Sequence, residues 1–291
     1  MTENVDERTL PPLLVPDFAG LLEDIRSNSG TPRTVGLSDS VIGDFCERES
    51  SLGRAIEEAH SVHVSLRDEV GAATLLLDEA DLVEKLQADY INFYKPETVN
   101  PYVALAARGP WIVTCHGRVL HDNGGYGMLG AGHGPDAIIE AMSQNWVMAN
   151  VMTPSFSQKR FTDALRREVG HTRGGCPFSH FVCLNSGSEA VTLGMRIADV
   201  NAHQMTKEGG RHEGKPIKLL SLKQSFHGRT QRPASISDSC KGPYNANLAS
   251  FRNRDHILTV EANNIAALQA IFARADDEGF FIELMAMEPI Q

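Results

Sequence analysis

From about residue 155 onward, this 291-residue chain alternates short apolar runs of strand length with longer stretches of helical period. The runs are Phe181–Leu184, Ile217–Leu222 and Phe281–Met287, and between them Ser188–Gln204 and Ile265–Asp276 carry apolar residues at helical spacing. Strand, helix and strand in succession close most readily as parallel crossovers, with the helices covering the sheet. This half of the chain is therefore expected to be α/β, with a mainly parallel sheet and flanking helices. Such sheets gather ligands where their strands end at the carboxyl edge.

The part before it reads differently. Residues 1–95 are mostly helical in pattern. Leu75–Leu86 places Leu75, Leu76, Leu77, Leu82, Val83 and Leu86 on one broad face, and Ser51–Glu69 is a second, more polar helix candidate. Gly30–Gly36 (GTPRTVG) reads as a loop, and Lys95–Pro101 (KPETVNP) as a connection. Pro110–Asp122 has two β-branched runs flanking His116 and Gly117, the pattern of a hairpin. A Gly-rich loop, Gly124–Gly134, follows, and then Pro135 and Asp136 open a helix expected to run to Val147.

Composition removes several classes of function. With 27 Lys and Arg against 37 Asp and Glu the net charge is −10, and no basic run offers a surface for nucleic acid or an anionic membrane. Cys46, Cys115, Cys176, Cys183 and Cys240 are odd in number and share no metal-binding or disulfide spacing. The opening MTENVDERTLPPLLVP has acids where a signal peptide needs bases, and no apolar stretch approaches the ~20 residues of a membrane span. The expected location is cytoplasmic.

Three strand ends carry chemistry. At Asn185-Ser186-Gly187-Ser188-Glu189-Ala190 an apolar run turns straight into a helix. The helix start supplies unpaired N–H groups and a positive dipole end, Gly187 permits close approach and Ser188 adds a hydroxyl, which together suit a phosphate. The next run ends in Gln224-Ser225-Phe226-His227-Gly228-Arg229-Thr230, where Phe226 offers a flat face to an aromatic ring and Arg229 a planar fork to a carboxylate. The third ends in Glu288-Pro289-Ile290-Gln291, a carboxylate at the same edge. Taken singly, each has a plainer reading: a Ser-capped helix, a core Phe, a solvated Arg, a structural His and a polar strand end.

Taken together and in order, Gly132-His133, NSGSEA, FHGRT and EPIQ resemble the class III aminotransferases, the fold-type-I pyridoxal-phosphate group that contains the ornithine, acetylornithine and 4-aminobutyrate enzymes. The resemblance covers roughly residues 96–291. It leaves residues 1–95 outside it as a mostly helical extension, and implies the N-terminal part of a small domain and a linker over 96–154 and the first part of the cofactor-binding large domain over 155–291. It also implies that Gly187 and Ser188 hold the cofactor phosphate and that Phe226 stacks on the pyridine ring. His227 then shapes the site, Glu288 lies beneath it, Arg229 pairs with a substrate carboxylate, and Tyr126 borders the substrate pocket. The implied reaction moves an amino group from an amine or amino acid to a 2-oxo acid, in a homodimer. A mutase or decarboxylase of the same fold and a non-catalytic interaction protein stay open as alternatives. None of the lysines has the context of the family's Schiff-base lysine, which is expected beyond Gln291, as is the aspartate that pairs with the ring nitrogen. The chain is therefore expected to be a fragment, inactive by itself.

Overall fold

The computed structural model describes residues 17–91, 99–123, 130–147, 150, 152–252 and 254–290. The chain divides into two compact units, residues 1–148 and 149–291.

In the first unit, α1 (Phe18–Ser27), α2 (Asp39–Cys46) and α3 (Ser50–Leu66) pack against an antiparallel sheet of β1 (Ala104–Arg108), β2 (Trp111–Thr114) and β3 (Val119–His121), in the order β1-β2-β3. Leu52, Ala55, Ile56 and Ala59 recur at helical spacing, so one face of α3 is buried, together with Leu22, Ile25, Trp111, Val113 and Val119. Full burial of each Leu or Ile contributes about 1.5–3 kcal/mol. The helices expected as an extension and the strands that follow them thus share one core. The hairpin around His116 and Gly117 is present as β2 and β3, and Gly30–Gly36 is irregular, as expected.

Three helix expectations need correction. The Ser51–Glu69 candidate starts one residue earlier, ends as α-helix at Leu66 and passes into a π-helical turn, Arg67–Gly71. Leu75–Leu86 is two helices, α4 (Ala72–Leu75) and α5 (Glu79–Gln87), with a break between them. The break serves the loop beside it. Asp78 accepts the Thr31 N–H at 2.8 Å, and one oxygen of Glu79 accepts the N–H groups of Arg33 (2.6 Å) and Thr34 (2.7 Å). A β-carbon on Gly30 would stand 2.3 Å from the Leu77 carbonyl oxygen, so the loop lies directly on the exposed backbone of the break. His116 donates from Nε2 to that carbonyl at 3.0 Å, and its Nδ1 faces the other Glu79 oxygen at 4.0 Å, both side chains fully buried. The Gly30 N–H donates to the Leu75 carbonyl and the Glu79 N–H to the Thr31 carbonyl, and a continuous helix would consume both of these backbone groups. The third, expected as Asp136–Val147, ends at Met142 as α6 (Asp136–Met142); Pro135 is its N-cap, and Ser143 takes up the last carbonyls.

The second unit has α7 (Phe156–Gly170), α8 (Gly187–Thr206), β4 (Ile217–Leu222), α9 (Gln231–Ile236), α10 (Lys241–Asn247), β5 (Ile257–Val260), α11 (Ile265–Asp277) and β6 (Phe281–Ala286). The sheet is parallel throughout, in the order β5-β4-β6, so consecutive strands enter on opposite sides of β4. Met195 of α8, Leu219 of β4 and Ile236 of α9 form its buried centre, with Val191, Ile257 and Leu284 against them. The expected α/β architecture is therefore present, and two of its three strands fall where expected. The exception is Phe181–Leu184, which forms no strand. A strand exists through its ladder, no described residue pairs with these four, and Val182 and Leu184 are exposed. Among the described residues no helix is long and apolar enough to cross a membrane.

Candidate functional site

The order β5-β4-β6 puts the carboxyl ends of β4 and β6 side by side, and α8 begins next to them. Ser186 caps α8 by accepting the Glu189 N–H at 3.2 Å, and Glu189 in turn accepts the N–H of Asn185 at 2.9 Å. This reciprocal capping is a variant of the Ser-x-x-Glu pattern legible in the sequence. It leaves the N–H groups of Gly187 and Ser188 in the first turn, where no helix carbonyl reaches them. Beside Gly187, the place of a β-carbon is open space.

The loop after β4 closes onto that helix start. The Arg229 N–H donates to the Ser188 hydroxyl at 3.2 Å, and the Thr230 hydroxyl lies 3.1 Å from that of Thr192. Thr192 also donates to the Ser188 carbonyl at 2.7 Å. Gly228 has φ +116°, and a β-carbon there would lie 2.4 Å from the Ser188 Oγ, so only glycine allows the approach. Since the Ser188 Oγ accepts from Arg229, its own proton remains available to an anion.

The same loop is tied to β6. The Phe226 N–H donates to Glu288 at 3.0 Å, which holds the half-exposed Phe226 ring at the strand edge. The Arg229 guanidinium lies over that ring, 5.7 Å from its centroid. His227 is anchored from below: its N–H donates to Ser237 at 2.8 Å and its Nε2 lies 3.1 Å from the Ser225 hydroxyl, both serines being buried. Burial pushes the His227 pKa below the ordinary histidine value, partly offset by the negative charge of Glu288. The imidazole is therefore mainly neutral near pH 7, and it shapes the loop.

Ser188, Phe226, His227, Arg229 and Glu288 thus meet in one place, with Gly187 opening the helix beside them. Tyr126 lies outside the described residues. The buried Ser225 and Ser237, the Thr192–Thr230 pair and Arg232 were missed by sequence reasoning. No pattern marks a serine as buried until the turn that encloses it exists. Chemically, the arrangement offers two first-turn N–H groups and a hydroxyl for a phosphate, an aromatic face for a flat ring, and a guanidinium for a carboxylate. Among the described residues no cluster of His, Cys, Asp and Glu suits a metal ion.

Comparison with known proteins points to one family. A family model described as aminotransferase class III matches residues 93–283. The ornithine aminotransferase of Staphylococcus carnosus (strain TM300) is 24% identical over 162 residues, 55% of this chain and 38% of that protein. Among solved structures, the ornithine aminotransferase of Toxoplasma gondii ME49 aligns with a TM-score of 0.56 at 17% identity, covering 78% of this chain and 48% of that one. Taurine:2-oxoglutarate aminotransferase from Bifidobacterium kashiwanohense, solved with pyridoxal phosphate and glutamate, aligns at 0.51 and 15%, covering 72% and 48%. At such identities the structural likeness shows the fold, that of the fold-type-I aminotransferases. The chain spans less than half the length of these relatives.

Proposed function

This chain belongs to the class III aminotransferase family, and we propose that it forms the cofactor-anchoring part of a site that moves an amino group from an amine or amino acid to a 2-oxo acid. Class III aminotransferases depend on pyridoxal phosphate. When bound, that cofactor supplies an electron sink for the pair left by the breaking Cα–H bond. The observation that carries the reading is the junction of Ser188, Gly228 and Arg229, with Phe226 and Glu288 beside it.

In this reading, the N–H groups of Gly187 and Ser188 and the Ser188 hydroxyl bind the phosphate. The Phe226 ring lies against the flat face of the pyridine, at a height set by Glu288 through the Phe226 N–H. His227, neutral and held by two buried serines, fixes the turn that presents Phe226. Arg229 leans over the Phe226 ring and offers its outer edge to a substrate carboxylate. The whole protein would act as a homodimer in the cytoplasm, with a lysine outside this chain carrying the cofactor.

The test is to titrate the chain with pyridoxal phosphate, follow binding by equilibrium dialysis and treat the complex with borohydride. Saturable binding that inorganic phosphate displaces, with no stoichiometric adduct on one lysine, is expected. Absence of binding overturns the anchoring role, and a single trapped lysine overturns the placement of the catalytic lysine.

A further inference from the structure

Away from the anchoring residues, one side chain joins the three elements that carry them. Arg232, in the first turn of α9, donates from Nη2 to Glu283 of β6 at 2.8 Å and from Nη1 to Asp199 of α8 at 2.6 Å. The surroundings of the two carboxylates differ. The Asp199 side chain is 53% exposed, whereas that of Glu283 is only 5% exposed. A carboxylate at such depth is costly unless a cation answers it, and breaking such a pair is strongly destabilising. Burial raises the Glu283 pKa, and Arg232 opposes that rise.

Each arm of this clamp leads to a part of the site. Glu283 stands in β6, which ends two residues before Glu288, and Asp199 in the helix that begins at Gly187 and Ser188. Arg232 itself follows the Phe226–Thr230 loop, whose last residue is the N-cap of α9. The apolar contacts between α8 and the sheet, through Val191 and Met195, are non-directional and tolerate sliding. A planar fork held by two carboxylates on different elements fixes both direction and distance.

We propose that Arg232 is a positioning residue of the phosphate site: by holding Glu283 and Asp199 on one guanidinium, it sets where the start of α8 stands against the ends of β4 and β6. The inference rests on the anchoring role proposed above. It extends that role to a residue that does not touch the cofactor, and it has a consequence that simple stabilisation lacks. Affinity for a phosphate-bearing ring should fall even in variants whose folding is intact.

The experiment measures the dissociation constants of pyridoxal phosphate and inorganic phosphate for dilute chain, beside a urea unfolding curve for each variant. Arg232→Met is expected to weaken both ligands by about tenfold or more, equivalent to ~1.4 kcal/mol. It also leaves Glu283 uncompensated, so its unfolding midpoint should fall. The double variant R232M/E283L replaces the buried pair with apolar groups, which generally restores folding. Its midpoint should return towards wild type while its ligand affinity stays low, because the link to Asp199 is still gone. Arg232→Lys keeps a cation but not the fork, and should bind with intermediate affinity. A folded double variant that binds both ligands within twofold of wild type overturns the inference while the anchoring role stands. A wild-type chain that binds neither ligand overturns the anchoring role and this inference with it.

Discussion

A β-carbon at Gly228 would press on the Ser188 hydroxyl from 2.4 Å, on a backbone whose φ of +116° few side chains adopt. Gly228→Ala must either push the loop off the helix start or strain it, at about 1–3 kcal/mol. Ser188 would then lose the Arg229 N–H as its partner. We expect phosphate affinity to fall about tenfold or more, a loss worth ~1.4 kcal/mol, with a smaller relative change in thermal stability; dialysis and calorimetry on one sample read both. Arg229 separates the two functions of the same loop. Its N–H donates to the Ser188 hydroxyl and its side chain lies over the Phe226 ring, and on the proposed function the first supports the phosphate and the second meets a substrate carboxylate. On the proposed function, Arg229→Ala in the whole protein should raise KM for carboxylate substrates while the cofactor stays bound, because the backbone N–H survives the substitution. Loss of the cofactor instead would assign the side chain to the cradle. The types and places of these residues were legible in the sequence. That Ser188 accepts from Arg229, and Glu288 from Phe226, was not.

At the scale of elements, polar groups decide where helices stop. Glu79 has no exposed surface and accepts two backbone N–H groups of the Gly30–Gly36 loop. Glu79→Ala leaves those donors without a partner, and we expect it to cost roughly 2–4 kcal/mol in urea unfolding. Glu79→Gln retains an acceptor and should cost less. The apolar face of Leu75–Leu86 looked continuous because periodicity records which residues seek burial, and the docked loop that interrupts it adds no periodic signal. Phe181–Leu184 fails for the related reason that a strand-like run cannot certify its partner. Buried His63 and half-buried His227 set an acid limit. His63 and His227 both have pKa values lowered chiefly by burial, below the ordinary 6.5. Arg67, His60 and His116 also lower that of His63, and Asp24 opposes them. Above about pH 6.5 both folded and unfolded states are neutral at these sites, and their contribution to stability is complete. As pH falls below that value the unfolded chain takes up protons first, so stability declines towards the folded-state pKa. The carboxylates Asp24 and Asp39, lowered mainly by Arg67 and Arg26, lose their contribution only near and below 3.8. Urea midpoints from pH 7.5 to 5 should therefore show a first decline, which His63→Gln or His227→Gln reduces. A profile flat to pH 5 contradicts the assignment.

At the scale of the whole molecule, two units each build their own core, and the second leaves much apolar surface uncovered. Val182, Ile197, Val200 and Ile265 are each at least 60% exposed. Ile197 and Val200, three positions apart, share one face of α8, and exposed apolar faces of this kind mark surfaces that associate. Sedimentation velocity across a concentration series should show the chain self-associating as concentration rises; a single monomeric species throughout would mean that these residues are covered in a way the described contacts do not show. The sequence by itself determined the α/β class of the second unit, the places of β4, β6, α8 and α11, and the family, because hydrophobic period, turn residues and the loop motifs are local and are written into neighbouring positions. Only the tertiary structure decided the strand order β5-β4-β6, and with it which loops meet. Phe226 reaches Glu288 across 62 positions, and Arg229 reaches Ser188 across 41. Such contacts depend on the packing of the whole unit, a sum of many small non-local terms that no single stretch of sequence contains. The Arg232 clamp belongs to this second kind: one arginine and two acids with nothing local to connect them, until the sheet brings their elements together.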